Sequence, residues 1–272
     1  MATVLRAAPV RFEVQRDIQY SQVEGMSLLM DASVPVDNKP VPAVVIVHGG
    51  GWVRGNRRID VAPLFDPLTE AGFAWFSISY RLVTDVTKFG LGIDDVESAI
   101  RFIRAHAGEF HINADKLALV GESAGGQLAA MAALRLPPNT VKGVVALYTP
   151  TDLVSLLRDS NYVPAQIRNS VQGTPWESLI LAGLSQLSPI ENVRRDMPPF
   201  LFIHGTADPL VPFSQSTAMC DRMKQAGAHC DLYPVEGAGH GIRWWSSAPR
   251  YEAYKRRMTD WLHSVLDDGS GS

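Results

Sequence analysis

Short apolar runs recur along this chain between amphipathic stretches, and that alternation limits the fold more than any other feature. Runs of about four to eight apolar residues are too short for buried helices and read as strands covered on both faces. Here they are Ala43–Val47, Phe73–Tyr80, Leu117–Val120, Val144–Leu147, Phe200–Ile203 and Asp231–Val235. Two earlier segments, Phe12–Tyr20 and Ser27–Val34, mix polar and apolar residues and are expected to be antiparallel. Between the runs lie helical patterns. Ile93, Val96, Ile100 and Ile103 make one apolar stripe, with Asp94 and Asp95 near the helix start, where the dipole favours negative charge. Ala124–Leu134 is rich in Ala and Gly and suits close packing on a strand, while Ser214–Ala226 and Pro249–Leu266 complete the pattern as helices. The expected class is α/β, a mostly parallel sheet with antiparallel N-terminal strands and helices on both faces.

The segment Thr151–Pro198 breaks the alternation with Asn161, Pro164, Gly173, Pro175, Trp176 and Pro189. An irregular stretch of this length in a compact domain usually carries function or short elements of its own. It is expected to be a small cap inserted between two strands. At roughly 150 residues per domain, 272 residues allow one or two domains.

Charge and cysteine usage narrow the partners. With 25 Lys+Arg against 28 Asp+Glu, the net charge is -3, and the densest basic group (Arg54, Arg57, Arg58) is followed at once by Asp60. Phosphate backbones need a cluster of cations, so no nucleic-acid partner is expected. The longest apolar stretches fall far short of the ~18–20 residues that span a bilayer, so no membrane role is expected. Met1–Val10 has no apolar core of a secretory leader, although one already removed can precede it; cytoplasm and secretion both stay open. The tail Gly269–Ser272 reads as a flexible linker. Two cysteines are too few for a disulfide framework or a four-ligand zinc site. Cys220, on a helix, and Cys230, at the next strand's start, either form one disulfide or remain separate buried thiols.

The chemistry concentrates in four places. Gly121-Glu122-Ser123-Ala124-Gly125 follows a strand and opens a helix. A serine on such a sharp turn needs small neighbours, and the helix N-terminus beside it suits a developing oxyanion. His48-Gly49-Gly50-Gly51 follows another strand, where three glycines let backbone N–H groups turn into a site. No Lys-Ser/Thr follows, and the spacing is not G-x-G-x-x-G, so a nucleotide cradle fits poorly. A serine nucleophile needs a base, and the base needs an orienting group. His240 lies in the glycine-rich loop Glu236–Gly241 after the last strand; His48 belongs to the glycine motif and His204 ends a buried strand, while His106, His111, His229 and His263 sit on helices or their approaches. Asp208, after the penultimate strand, is the favoured orienting acid, with Asp196, Asp221, Asp231 and Glu236 as rivals.

These segments, with Trp52, Tyr80-Arg81-Leu82, Asp208-Pro209-Leu210-Val211-Pro212 and Gly239-His240-Gly241, resemble the α/β-hydrolase superfamily from about Asp31 to Leu266. The chain is most similar to its hormone-sensitive-lipase-like and compact bacterial acetyl-, xylan- or feruloyl-esterase-like branch. The resemblance implies an α/β-hydrolase fold with Ser123 as nucleophile, His240 as general base and acid, and Asp208 as its partner. It implies an oxyanion hole from the N–H groups of Gly50, Gly51 and Ala124. It also implies a carboxylesterase acting on short-chain acyl esters, of small molecules or carbohydrates, with no metal or organic cofactor. An amide-cleaving relative (arylformamidase or peptidase-like) and a non-catalytic ligand-binding protein on the same scaffold are the alternatives. Two departures stand out: only a short strand-like stretch precedes His48, in place of a helical N-terminal cap, and Glu122 stands where many relatives have Asp. Trp52, Trp176 and Trp244 are candidate substrate-binding residues, and Trp245 and Arg243 lie beside them. Because Ser123, Asp208 and His240 must converge, residues 1–266 are expected to form a single domain with the cap at 151–198, leaving 267–272 as a tail.

Overall fold

The computed structural model describes residues 10–83, 88, 90–159, 169 and 171–267. Met1 to Pro9, Asn161, Pro164 and the tail from Asp268 onward therefore lie outside the described residues. Eight strands form one sheet in the order β1-β2-β4-β3-β5-β6-β7-β8. The strands are β1 (Phe12–Val23), β2 (Met26–Pro35), β3 (Val41–Val47), β4 (Ala74–Ile78), β5 (Ile112–Glu122), β6 (Val144–Leu147), β7 (Phe200–Gly205) and β8 (Cys230–Val235). β1 and β2 pair antiparallel, β2 meets β4 antiparallel, and every later pairing is parallel, as the mixed and purely apolar runs predict. This is the mostly parallel, doubly covered architecture of an α/β fold.

Side-chain alternation along β3 divides the core in two. Ala43, Val45 and Val47 join the cluster beneath α2 (Leu91–Ala105) and α3 (Ala124–Arg135), with Ile93, Val96, Ile100, Ile103 and Leu128. Val44 and Ile46 face the opposite cluster, with Leu64 and Leu68 near α1 (Phe65–Glu70) and Trp261 and Leu262 from the C-terminal helix Ala253–Leu266. Successive strand residues point to opposite faces, so one apolar run feeds both layers. The loop after β4 is tied to α2 by the Arg81 guanidinium, which grips the buried Asp95 carboxylate at 2.7 and 3.0 Å. Asp95 thus serves that ion pair, and Asp94 alone keeps an exposed place in the first turn.

The segment 151–198 contains α4 (Leu153–Asp159), α5 (Glu177–Gln186) and a 3-10 turn, Pro189–Asn192. α6 (Ser214–Gln225) precedes β8, followed by the four-residue α7 (Ile242–Trp245) and then α8 (Ala253–Leu266). The sulfurs of Cys220 on α6 and Cys230 on β8 lie at bonding distance, 2.04 Å, across Cα atoms 5.4 Å apart. Among the described residues, no helix is long and apolar enough to cross a membrane.

Candidate active site

Ser123 stands between the end of β5 and the first residue of α3, with φ +51° and ψ -121°. Such a conformation is costly for a residue with a side chain and is kept where its surroundings enforce it. Its N–H is anchored on Leu147 O at 2.9 Å. The turn closes because its neighbours are small: a Cβ on Gly125 would come within 2.2 Å of His48 O.

His240, in the loop after β8, bridges two partners. Its Nδ1 lies 2.7 Å from Asp208 Oδ2 and its Nε2 lies 2.9 Å from Ser123 Oγ. A carboxylate only accepts, so Nδ1 carries the proton and Nε2 is left to accept from the serine hydroxyl. The Asp208 side chain is fully buried. Its Oδ1 accepts the N–H groups of Leu210 and Val211 at 2.9 and 3.0 Å. Burial alone pushes this acid up. The His204 and His240 ring N–H groups and the Leu210 N–H outweigh it and hold the carboxyl well below the usual carboxylate range. His204 also supports the acid's surroundings: its Nε2 donates to Val211 O at 2.9 Å and lies 3.4 Å from Asp208 Oδ2, while its Nδ1 accepts from Ser216 Oγ at 2.7 Å.

The glycine loop follows β3. Gly50 has φ +112° and Gly51 +62°. A Cβ on Gly50 would come within 2.1 Å of Arg54 O, so glycine is required there. His48 is buried, which lowers its pKa, and its ring stacks on Tyr80 at 4.5 Å. Gly49 N–H donates to Glu122 Oε1 at 3.1 Å. The N–H of Ala124, first in α3, has no intrahelical acceptor and lies at the positive end of the helix dipole.

A cavity of about 460 Å³ opens above these groups. Gly50, Gly51, Ser123, Tyr148 and His240 line its interior; Arg54, Asp60, Leu210, Arg243 and Trp244 form the rim. Arg243 faces Asp60 at 3.6 Å, and the Trp244 indole is 76% exposed. No described residue of 151–198 lines this cavity. Among the described residues, no group of three or more His, Cys, Asp or Glu side chains is disposed to hold a metal ion.

Two of the candidate aromatic residues are elsewhere. Trp52, with φ +64°, is turned inward and buried; its indole N–H donates to Gln127 Oε1 at 3.0 Å, so it packs against α3 instead of walling the cavity. Trp176 precedes α5, which packs on α4 and the 3-10 turn; its side chain is 67% exposed and outside the cavity lining. Trp245 is buried too, edge-on to Tyr148 and Tyr254. Sequence reasoning missed Tyr148 and the support given by His204. Tyr148 has no motif, and the signal that could have found it is its place directly after β6, at the same sheet edge as Ser123 and Asp208.

The BD-FAE family model matches residues 30–223, a span that holds Ser123 and Asp208 and ends before His240. The chain belongs to the BD-FAE family. Among curated proteins it is similar to Esterase LipC of Mycobacterium tuberculosis, 30% identical over 85% of this chain and 60% of the relative. It is also similar to the probable carboxylic ester hydrolase LipM of the same organism, 28% identical over 71% of this chain and 47% of the relative. The chain thus spans about half to three-fifths of the length of these relatives. Among solved structures, the butyrate-bound esterase Est2 of Thermogutta terrifontis superposes with a TM-score of 0.75 at 25% identity, covering 97% of each chain. A truncated carbohydrate esterase from gut microbiota shares the fold at a TM-score of 0.77 and 24% identity, over 97% of this chain and 99% of that one. This BD-FAE chain has the α/β-hydrolase fold.

Proposed function

We propose that this BD-FAE chain is a serine carboxylesterase that hydrolyses short-chain acyl esters through an acyl-enzyme. The observation that carries the reading is the unbroken chain from Asp208 through His240 to Ser123, at 2.7 and 2.9 Å, opening into the cavity. Ser123 Oγ attacks the ester carbonyl carbon as its proton passes to His240 Nε2, and Asp208 steadies the resulting imidazolium. The carbonyl oxygen, now an oxyanion, is received by the N–H groups of Gly50, Gly51 and Ala124. Collapse expels the alcohol with the proton from Nε2. Water then repeats the sequence on the acyl-serine, releasing the acid and restoring Ser123. The names of LipC, LipM and Est2 support an ester substrate, and the butyrate of Est2 supports a short acyl group.

The natural substrate is proposed to be an acetyl or feruloyl ester on plant polysaccharide, because the exposed Trp244 indole on the rim is a platform for a sugar or aromatic ring. A panel of 4-nitrophenyl esters of rising acyl length, with acetylated xylan and methyl ferulate added, tests both levels. Hydrolysis of the short esters that disappears in Ser123→Ala is expected. Hydrolysis that survives in Ser123→Ala refutes the mechanism, and release of neither acetate nor ferulate refutes the polysaccharide assignment.

A further inference from the structure

The steps above leave Glu122 unused, although it is buried beside Ser123. Its two oxygens serve two different loops. Oε1 accepts the N–H of Gly49 at 3.1 Å, directly before Gly50 and Gly51. Oε2 accepts the phenol O–H of Tyr148. The same phenol oxygen accepts the N–H of Ile242 at 2.9 Å, two residues beyond His240. The Tyr148 ring also lies edge-on to the His240 imidazole, with centroids 4.5 Å apart at 64°.

The backbone is bent to make this possible. Tyr148 is fully buried and has φ +37°, a region that a bulky residue occupies only where its surroundings over-determine it. Its N–H is fixed on Ile203 O at 2.8 Å, and Trp245 packs on the ring at 5.1 Å. A buried carboxyl needs hydrogen-bond donors, and here the two donors come from β6's end and the glycine loop.

We propose that Glu122 and Tyr148 are positioning residues that join the oxyanion loop to the His240 loop through one buried carboxyl–phenol bridge, an inference that rests on the esterase reading. The Gly50 and Gly51 amides that receive the oxyanion and the imidazole that moves the proton arrive on separate loops, after β3 and after β8. Their mutual spacing decides how well both meet one tetrahedral centre, and a displacement of about 1 Å costs on the order of 100-fold in rate. A phenol is specifically required because its oxygen both donates and accepts.

The test uses Tyr148→Phe, Glu122→Gln and their double variant in the full chain, with 4-nitrophenyl butyrate as substrate and thermal unfolding followed in parallel. Tyr148→Phe keeps the ring against His240 but strands Ile242 N–H and Glu122 Oε2. Its kcat is expected to fall on the order of 10- to 100-fold with KM within about threefold. The double variant is expected to be no slower than the slower single, because either change opens the same bridge. A wild-type kcat in Tyr148→Phe, or a double variant whose loss is the product of the two singles, overturns the proposal. Should Glu122→Gln not fold, the kcat and KM of Tyr148→Phe decide alone. A wild-type protein that hydrolyses no ester removes the esterase reading and this one with it, whereas an active wild type with an unaffected Tyr148→Phe removes only this one.

Discussion

Asp208 is the residue on which the proton geometry of the site depends. Its Oδ2 meets His240 Nδ1 at 2.7 Å and fixes which ring nitrogen carries hydrogen. An amide in its place can present NH2 to the imidazole and invert that tautomer. Asp208→Asn is therefore expected to lower kcat by about 10³–10⁴-fold with KM little changed, measured by steady-state hydrolysis of a short nitrophenyl ester. A loss confined to KM contradicts the assigned role. The lowered pKa of Asp208 also has a sign for stability: its contribution is present above the unfolded value of 3.8 and disappears as pH falls through the lower folded value. Glu122, one bond along the chain from Ser123, is pushed the other way by burial, with Tyr148 and Gly49 pulling against it. Two carboxyls near one serine thus have opposite environments.

At the scale of elements, the N-terminal hairpin is fastened by charge. Asp31 on β2 accepts Arg58 Nη2 at 2.9 Å and Arg57 Nη2 at 3.2 Å, as well as the Asp17 N–H at 2.9 Å. Burial raises this acid, but the Arg58 bond, the Asp17 N–H and the two guanidinium charges outweigh it and hold it at about 2. A depressed acid stabilises the fold above its unfolded value and loses that contribution as pH falls through its folded one. Roughly 1–2 kcal/mol is expected to vanish between pH 4 and 2, after allowance for the half-exposed Arg58 and Asp17. Urea unfolding across that range should show a flatter acid slope in Asp31→Asn, and an unchanged slope argues against the assignment. The Cys220–Cys230 link closes a loop with a sequence separation of 10. Thiol titration of unfolded, unreduced protein is expected to find no reactive group, and reduction to cost about 2–3 kcal/mol. Two titratable thiols would show that the pair is open. The strands β3 and β6 were legible because continuous apolar runs suit burial on both faces. β5 was only half legible: it reaches back to Ile112 through polar Asn113, Asp115 and Lys116, which hide its pairing with Val41. α5 was hidden for the opposite reason, having no buried residue and so no stripe to read.

Across the whole molecule, Gly50 and Gly51, Ser123, Asp208 and His240 follow β3, β5, β7 and β8, so all emerge at one edge of the parallel sheet. Ligand sites in open α/β sheets lie outside the carboxyl ends of the strands, and this convergence made the placement of most of the candidate site readable from motif order. What escaped depends on where the chain turns between motifs. Gly50, Gly51 and Trp52 have three consecutive positive φ values, which carry the indole beneath the site, and no letter pattern encodes that rotation. The same burial map has an optical consequence. Of six tryptophans, Trp52, Trp75, Trp245 and Trp261 are buried, while Trp176 and Trp244 are 67% and 76% exposed. Only Trp244 of the exposed pair borders the cavity. Iodide should therefore quench two emitters, and an occupant of the cavity, such as the product acid at high concentration, should shield one of them. Trp244→Phe should erase that shielding and Trp176→Phe should not, so the chain has a fluorescent reporter built into its own doorway.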